Sequence, residues 1–503
     1  MTRPNFLILQ ADQLTSQVLG AYGRTLAKTP HIDRLASEGV VFRNSYCSYP
    51  LCGPSRMSMM TGRLASRVGC YDNATALSSE IPTFAHYLRV LGYRTTLSGK
   101  MHFVGADQLH GFEERLTSDI YPGDFSFTES ATVKEVKGRS DARGVTLAGI
   151  CDASVQLDHD ELVMFRAKQH LLDMARDNDT RPFCLLVSIT HPHEPFYCLQ
   201  KHWDRYTDEE IAMPDVGRLP SQASDPLTQF ITERWQLDRD FDDSTIRRAR
   251  RAYLGLVSYV DDKLAELQST LARSGFADNT IIVFLGDHGE MLGERGMWFK
   301  RHFYEWSARV PMIWHAPKRF APATRSENVS LMDLLPTLMA LGADGSLQHL
   351  VEPIEGRSLL PLLRGSPVIW DNVAYAETMS DGLAAPVFMI RRDDWKLIWG
   401  PQHPAQLFNL DDDPLELTNV AGHAGPGRDV LGGLLAEAEK VWNAAAIQAG
   451  IELSTERRIL IRTAHRTGKP PVWDYEAPSL EAGRWFRDGD DYGRWSFGVL
   501  NPR

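Results

Sequence analysis

The chain is 503 residues long, with 54 basic against 65 acidic side chains and a formal net charge of −11. An acidic chain with no basic domain is a poor general nucleic-acid binder, so no nucleic-acid partner is expected. A composition of 43% hydrophobic and 24% charged residues is that of an ordinary folded protein, neither disordered nor membranous. At ~150 residues per domain the length covers about three units, or one large α/β unit with a smaller companion.

In chain order, the first apolar run is Phe6-Leu7-Ile8-Leu9. It is shorter than a signal peptide's, ends on Asp12 and has no small-residue cleavage site after it. No apolar stretch is long enough to span a bilayer, so a cytoplasmic location without a membrane partner is expected. The six cysteines at 47, 52, 70, 151, 184 and 198 form no Cys-x-x-Cys pair, which predicts buried reduced thiols, with Cys52 set apart by its surroundings.

Two more apolar runs follow, Phe183 to Val187 leading into His191 and His193, and Thr280 to Leu285 leading into Asp287-His288. Helical patterns lie between, for example Pro82 to Leu91 and Arg248 to Leu271. Buried strands alternating with helices predict an α/β fold with a large, mostly parallel sheet, whose ligands bind beyond the carboxyl ends of the strands. Asp, His and Asp-His delivered to one sheet edge is the first functional signal.

After about residue 365 short alternating segments (373–377, 387–390, 396–399, 406–408) predict a small antiparallel sheet, and Val430 to Ala449 a helix. From Pro470 the chain is aromatic, with Trp473-Asp474-Tyr475, Trp485, Phe486, Tyr492 and Trp495, and such a tail needs a surface to cover. The expected division is a catalytic α/β domain over 1–365, a small C-terminal subdomain over 366–460, and a tail over 461–503 that contacts a neighbouring subunit or covers the active site.

The chemistry concentrates in residues 50–63, Pro-Leu-Cys-Gly-Pro-Ser-Arg-Met-Ser-Met-Met-Thr-Gly-Arg. Cys52-x-Pro54-Ser55-Arg56 leading into Thr61-Gly62-Arg63 resembles the signature of type I sulfatases, in the alkaline phosphatase superfamily, in which the cysteine becomes formylglycine. Further elements resemble that family in its own order: Gly99-Lys100-Met101-His102, Pro192-His193, Gly286-Asp287-His288, and Lys300 … Glu305 … Arg309-Val310-Pro311. The segments Gly69 to Asn73, Lys100 to Leu116, Met291 to Gly296 and Trp473 to Tyr475 are similar to choline sulfatases.

The resemblance implies an alkaline-phosphatase/sulfatase-like fold and hydrolysis of a small-molecule sulfate ester. It implies one divalent metal held by Asp12, Gln13, Asp287 and His288 with the residue at 52; such ligands suit Ca²⁺, Mg²⁺ or Mn²⁺, and the family points first to Ca²⁺. A formylglycine derived from Cys52, as its hydrate, would be the nucleophile, which requires a formylglycine-generating enzyme as maturation partner. Arg56 would orient the hydrate, Lys100 and Lys300 neutralise sulfuryl charge, His102 accept the proton that collapses the adduct, and His193 protonate the leaving oxygen. Asn73 would bond a sulfuryl oxygen. His191, Glu290, Glu294, Arg295 and Trp298 read as structural, and a homodimer or homotetramer is implied.

The leaving-group side departs from choline sulfatases. Phe127 supplies an aromatic face there, but residues 134–143 carry Lys134, Lys137, Arg139 and Arg143 where an aromatic stretch is expected. That loop predicts a polar or anionic, sugar-type leaving group if it faces the pocket, or a solvated surface if it does not. Asp381, near an acidic position of the choline site, keeps choline sulfate as an alternative. His302 is a further candidate substrate contact. A phosphonate monoester hydrolase or phosphodiesterase with the same nucleophile and metal is the second enzymatic reading.

Overall fold

The computed structural model describes residues 3–128, 141–220, 224–343, 350–380, 382–423 and 426–477. Lys134, Lys137, Arg139, Asp381 and the tail from 478 lie outside the described residues. Residues up to 330 contribute ten strands: β1 (Asn5–Ala11), β2 (Val40–Tyr46), β3 (Arg94–Gly99), β4 (Glu114–Arg115), β5 (Gly149–Ile150), β6 (Phe183–Ile189), β7 (Tyr197–Cys198), β8 (Thr280–Gly286), β9 (Met312–His315) and β10 (Ala323–Ser330). Eight form one sheet in the order β10-β2-β9-β8-β1-β6-β3-β4, while β5 and β7 pair separately.

β1 runs parallel to both β6 and β8, and β3 runs parallel to β6. β9 is antiparallel to β8 and to β2, so two reversals leave β2 running with β8. The carboxyl ends of β2, β8, β1, β6 and β3 therefore open on one edge. Registers are level there, with Ala11 opposite both Ile189 and Gly286. β1, β6 and β8 are buried along all seven residues, which is why each is a continuous apolar run.

The helices Val155–Met174 and Asp243–Arg273 pack on each other, the first also covering β3 and β6. Both begin on side-chain caps, Ser154 accepting from the Leu157 N–H and Asp242 from the Thr245 N–H. A second group of helices, Cys52–Thr61, Phe84–Val90 and Leu334–Gly342, packs together.

The small antiparallel sheet comprises β11 (Val373–Thr378), β12 (Val387–Arg392), β13 (Trp395–Gly400) and β14 (His403–Asn409). It has its own apolar cluster, including Phe388, Ile390, Leu397, Leu407 and Trp442. The single helix expected over 430–449 is two, Pro426–Val441 and Ala444–His465. Trp442 stacks on Phe388 at 4.6 Å, and Asn443 leaves helical geometry to cap the second helix by accepting from the Ala446 N–H.

The start of the aromatic tail packs on its own chain. Asp474 accepts from the Gly123 N–H at 2.7 Å, the Tyr475 hydroxyl donates to the Arg115 carbonyl at 3.0 Å, and Trp473 meets Phe125 edge-on at 5.4 Å. Among the described residues the six cysteines are free thiols, and no helix is long and apolar enough to cross a membrane.

Candidate active site

Each parallel strand ends by delivering functional groups to the shared edge. β1 leads into Asp12 and Gln13, β3 into Lys100 and His102, and β8 into Asp287 and His288. β6 leads into His191 and His193, and the loop after β2 places Cys52 as the first residue of the helix Cys52–Thr61. Gln13 and His102 have positive φ values of 64° and 60°, a backbone region non-glycine residues seldom adopt and one that recurs at functional sites.

Cys52 is buried at the positive end of its helix, with Sγ 3.2 Å from His288 Nε2 and 3.7 Å from Asp12 Oδ1. Burial alone would raise its thiol pKa, but Lys100, Lys300 and His288 bring it well below the ordinary range. Arg56, one turn on, ties the edge together. Its Nε donates to Asp287 Oδ2 at 2.9 Å and Nη2 to Asp12 Oδ2 at 2.8 Å, while Nη1 donates to the Lys100 carbonyl at 2.6 Å and Ser188 Oγ at 2.7 Å.

Lys100 Nζ lies 2.5 Å from Asp12 Oδ2. Burial and Cys52 oppose ionisation of Asp12, yet Lys100, with Arg56, holds its carboxyl far below the usual range. One oxygen of each carboxylate is thus held by cations, and the other faces Cys52 and His288. Asp12, Cys52, Asp287 and His288 offer ligand atoms all within 4.8 Å of one another, and all four residues are buried. Two carboxylate oxygens and an imidazole nitrogen converging in this way fit a hard divalent cation. Gln13 stands beside them, its N–H donating to Asp287 Oδ1 at 2.9 Å. Its amide oxygen, expected on the metal, instead accepts from Lys300 Nζ, and its amide nitrogen donates to Glu290.

Opposite Cys52, Asn73 Oδ1 accepts from the Gly53 N–H at 2.8 Å, and the Asn73 carbonyl lies 3.1 Å from His102 Nε2. A carbonyl only accepts, so Nε2 carries the proton and a neutral His102 keeps a lone pair on Nδ1, which is buried without a hydrogen-bond partner. Asp119 accepts from the N–H groups of Met101 and His102 at 2.8 and 2.9 Å, fixing the His102 turn. Tyr121 and Phe127 form an aromatic corner, 4.8 and 5.9 Å from the His102 ring.

His193 Nδ1 lies 2.6 Å from the Glu194 carbonyl, and its Nε2 faces Lys300 Nζ at 2.7 Å. His193 is therefore protonated on Nδ1 and accepts from Lys300. His191 binds Asp160 at 2.6 Å, the structural place expected for it.

Twelve sequence-predicted residues thus meet: Asp12, Gln13, Cys52, Arg56, Asn73, Lys100, His102, Phe127, His193, Asp287, His288 and Lys300. Two others do not. His302 is buried elsewhere, its Nε2 on Asp225 at 3.4 Å and its ring stacked on Tyr304 at 3.8 Å. Positive φ at Phe299 and Arg301 breaks the strand-like alternation that would have placed residues 300 and 302 on one side. Arg143 is exposed and pairs with Asp141 at 2.8 Å, so its charge is spent on its own loop. Ser188 and Asp119 were not anticipated; both are polar residues in or after strands with no spacing signal to mark them.

A protein-family description, Sulfatase, matches residues 4–344 of this chain. The chain belongs to the sulfatase family. A second description, N-sulphoglucosamine sulphohydrolase, C-terminal, matches residues 293–430 of this sulfatase. It is 40% identical to a choline-sulfatase of Rhizobium meliloti (strain 1021), covering 97% of this chain and 96% of the relative. An arylsulfatase of Clostridium perfringens (strain 13 / Type A) is 27% identical, over 83% and 90% of the two chains. In fold, the sulfatase is similar to a phosphonate monoester hydrolase of Agrobacterium radiobacter, with TM-score 0.70 and 24% identity over 89% and 96% of the chains. It is a sulfuric ester hydrolase.

Proposed function

We propose that this sulfatase hydrolyses the sulfate ester of a small alcohol and that Cys52, once oxidised to formylglycine by a formylglycine-generating enzyme, provides the nucleophile. The observation that supports this most is the placement of Cys52: first in its helix, against His288 and Asp12, within a field of buried cations. A formylglycine hydrate at this position would supply two hydroxyls, one to attack sulfur and one to be deprotonated afterwards. A divalent metal, when bound, polarises a sulfuryl oxygen and stabilises an ionised hydroxyl.

The remaining roles belong to the chain. Asp12, Asp287 and His288 would hold the cation, and Arg56 spans both carboxylates and fixes their separation. Lys100, Lys300 and Asn73 bind sulfuryl oxygens. His102 Nδ1, with its free lone pair, takes the proton from position 52. The Lys300–His193 contact holds a proton beside the leaving oxygen, so the acid at this corner is the pair and not His193 alone.

For the alcohol, Phe127, edge-on to the Tyr121 ring that Lys100 already faces, offers an aromatic surface to a quaternary ammonium, which favours choline sulfate and agrees with the likeness to a choline-sulfatase. The second reading, an anionic or sugar-type alcohol, rests on Lys134, Lys137 and Arg139, since Arg143 is spent on Asp141. The test is catalytic efficiency on choline sulfate, a sulfated sugar acid and a phosphonate monoester. The expected order is choline sulfate first; preference for the sugar acid selects the second reading, and turnover of the phosphonate alone overturns both.

A further inference from the structure

The C-terminal helix Ala444–His465 carries two arginines, one turn apart, that grip the active-site rim. Arg458 is buried, and its guanidinium forms a fork on Asp72, Nη1 to Oδ1 and Nη2 to Oδ2, each at 2.9 Å. Asp72 Oδ1 also accepts from the Ala74 N–H and Thr75 Oγ1, both at 2.8 Å, closing a turn around residue 73. Asn73, inside that turn, is the residue whose side chain receives the Gly53 N–H and whose carbonyl sets the His102 tautomer. Arg462 donates through Nη1 to the Thr128 carbonyl at 2.7 Å, immediately after Phe127 of the aromatic corner, whereas Arg458 Nη1 reaches Thr128 only at its Oγ1 and at 3.4 Å, a longer and weaker bond than its fork on Asp72.

We infer that Arg458 and Arg462 are positioning residues, the first for the nucleophile and base through Asp72 and Asn73, the second for the leaving-group corner through Thr128. The inference rests on the sulfatase reading of Cys52 and His102 but concerns side chains that touch neither substrate nor metal. Fixed charge and fork geometry matter at Arg458, because lysine cannot reproduce two parallel bonds to one carboxylate. A misplaced reacting group costs up to about 10²-fold in rate. Loosening the Asn73 turn therefore acts on kcat, whereas loosening Thr128 acts on KM.

The test uses the full chain, matured with its modifying enzyme and assayed on choline sulfate and a sulfated sugar acid. Arg458→Met is expected to lower kcat by about 10–10²-fold with KM within about twofold, and Arg458→Lys to recover part of the loss. Asp72→Asn, which keeps the turn's acceptor, should reproduce the kcat loss, and the double variant should add nothing further. Arg462→Met should raise KM severalfold on the better substrate with little change in kcat. Amide hydrogen exchange of the peptide spanning residues 50–57 should quicken in Arg458→Met. A folded Arg458→Met enzyme with unchanged kcat and unchanged exchange overturns the inference. If the wild type hydrolyses no sulfate ester, the functional reading fails instead, and the exchange measurement still decides this one.

Discussion

Lys100 and Lys396 are both fully buried lysines, and they are bonded very differently. Lys396, on β13, fills all three donors: the Phe303 carbonyl at 2.8 Å, Glu305 at 2.6 Å and Glu416 at 2.8 Å. Lys100, at the end of β3, has one carboxylate oxygen, Asp12 Oδ2, and otherwise faces the Tyr121 ring at 4.5 Å. A saturated buried cation ties the small sheet to the helix Glu305–Ala308 beside the large sheet. An unsaturated one, beside a thiol of lowered pKa, has donors left over for the sulfuryl oxygens of the proposed reaction.

The two lysines should respond differently to removal. Lys396→Met leaves Glu305 and Glu416 without their main cation, and unfolding measured by urea should lose about 3–5 kcal/mol, with activity per folded molecule retained. Lys100→Met should show the reverse, a loss of about 10²–10³-fold in kcat/KM with little loss of stability. A stability loss at Lys100 as large as at Lys396 would contradict the distinction.

Acid titration separates the Lys396 cluster further. Burial works against the Glu305 carboxylate, but Lys396, Arg309 and Arg391 hold it at about 2. Because that value is depressed in the folded state, its stabilisation is complete above the unfolded value of 4.5 and is lost as pH falls towards 2. Wild-type stability should fall by on the order of 1 kcal/mol per pH unit in that window, and Lys396→Met should flatten the slope.

The smallest effect is expected where a buried carboxylate lacks a cation. Burial pushes Asp261 up to about 7, against the N–H bonds from Ile32 and His31 and with help from Asp262 and Asp33. A raised folded value gives stability that is complete below 3.8 and lost as pH rises through 7. Asp261→Asn keeps an acceptor for both N–H groups and should gain about 1 kcal/mol at pH 8 with no gain at pH 4, checked by denaturant unfolding at both values.

The large sheet was legible where strands are buried on both faces, as in β1, β6 and β8, because burial writes a continuous apolar run. β10 was not, since it lies at the sheet edge and its residues Ala-Thr-Arg-Ser-Glu-Asn-Val-Ser alternate partly exposed with exposed before turning inward. The helix break at Asn443 was missed because the periodicity continues across it. In the site, Cys52, Arg56, Lys100, His102, Asp287 and His288 were legible because each sits at a fixed place in a motif. The Asp119 support, the Arg458 fork and the Lys300–His193 contact join residues 17 to 386 positions apart, which no local pattern records. His302 lies away from the site although it is two residues after Lys300, because adjacency in sequence is not adjacency in space, and Arg143 pairs with Asp141 although its segment is expected on the leaving-group side by the likeness to choline sulfatases.

In the proposed reaction, position 52 works as an oxidised cysteine. Mass spectrometry of the peptide containing residue 52, from protein purified from its native host, tests it most directly. Formylglycine at 52, with sulfate ester hydrolysis lost in Cys52→Ala, is the predicted result. Only unmodified thiol at 52 in protein that nevertheless hydrolyses sulfate esters at full rate would contradict it.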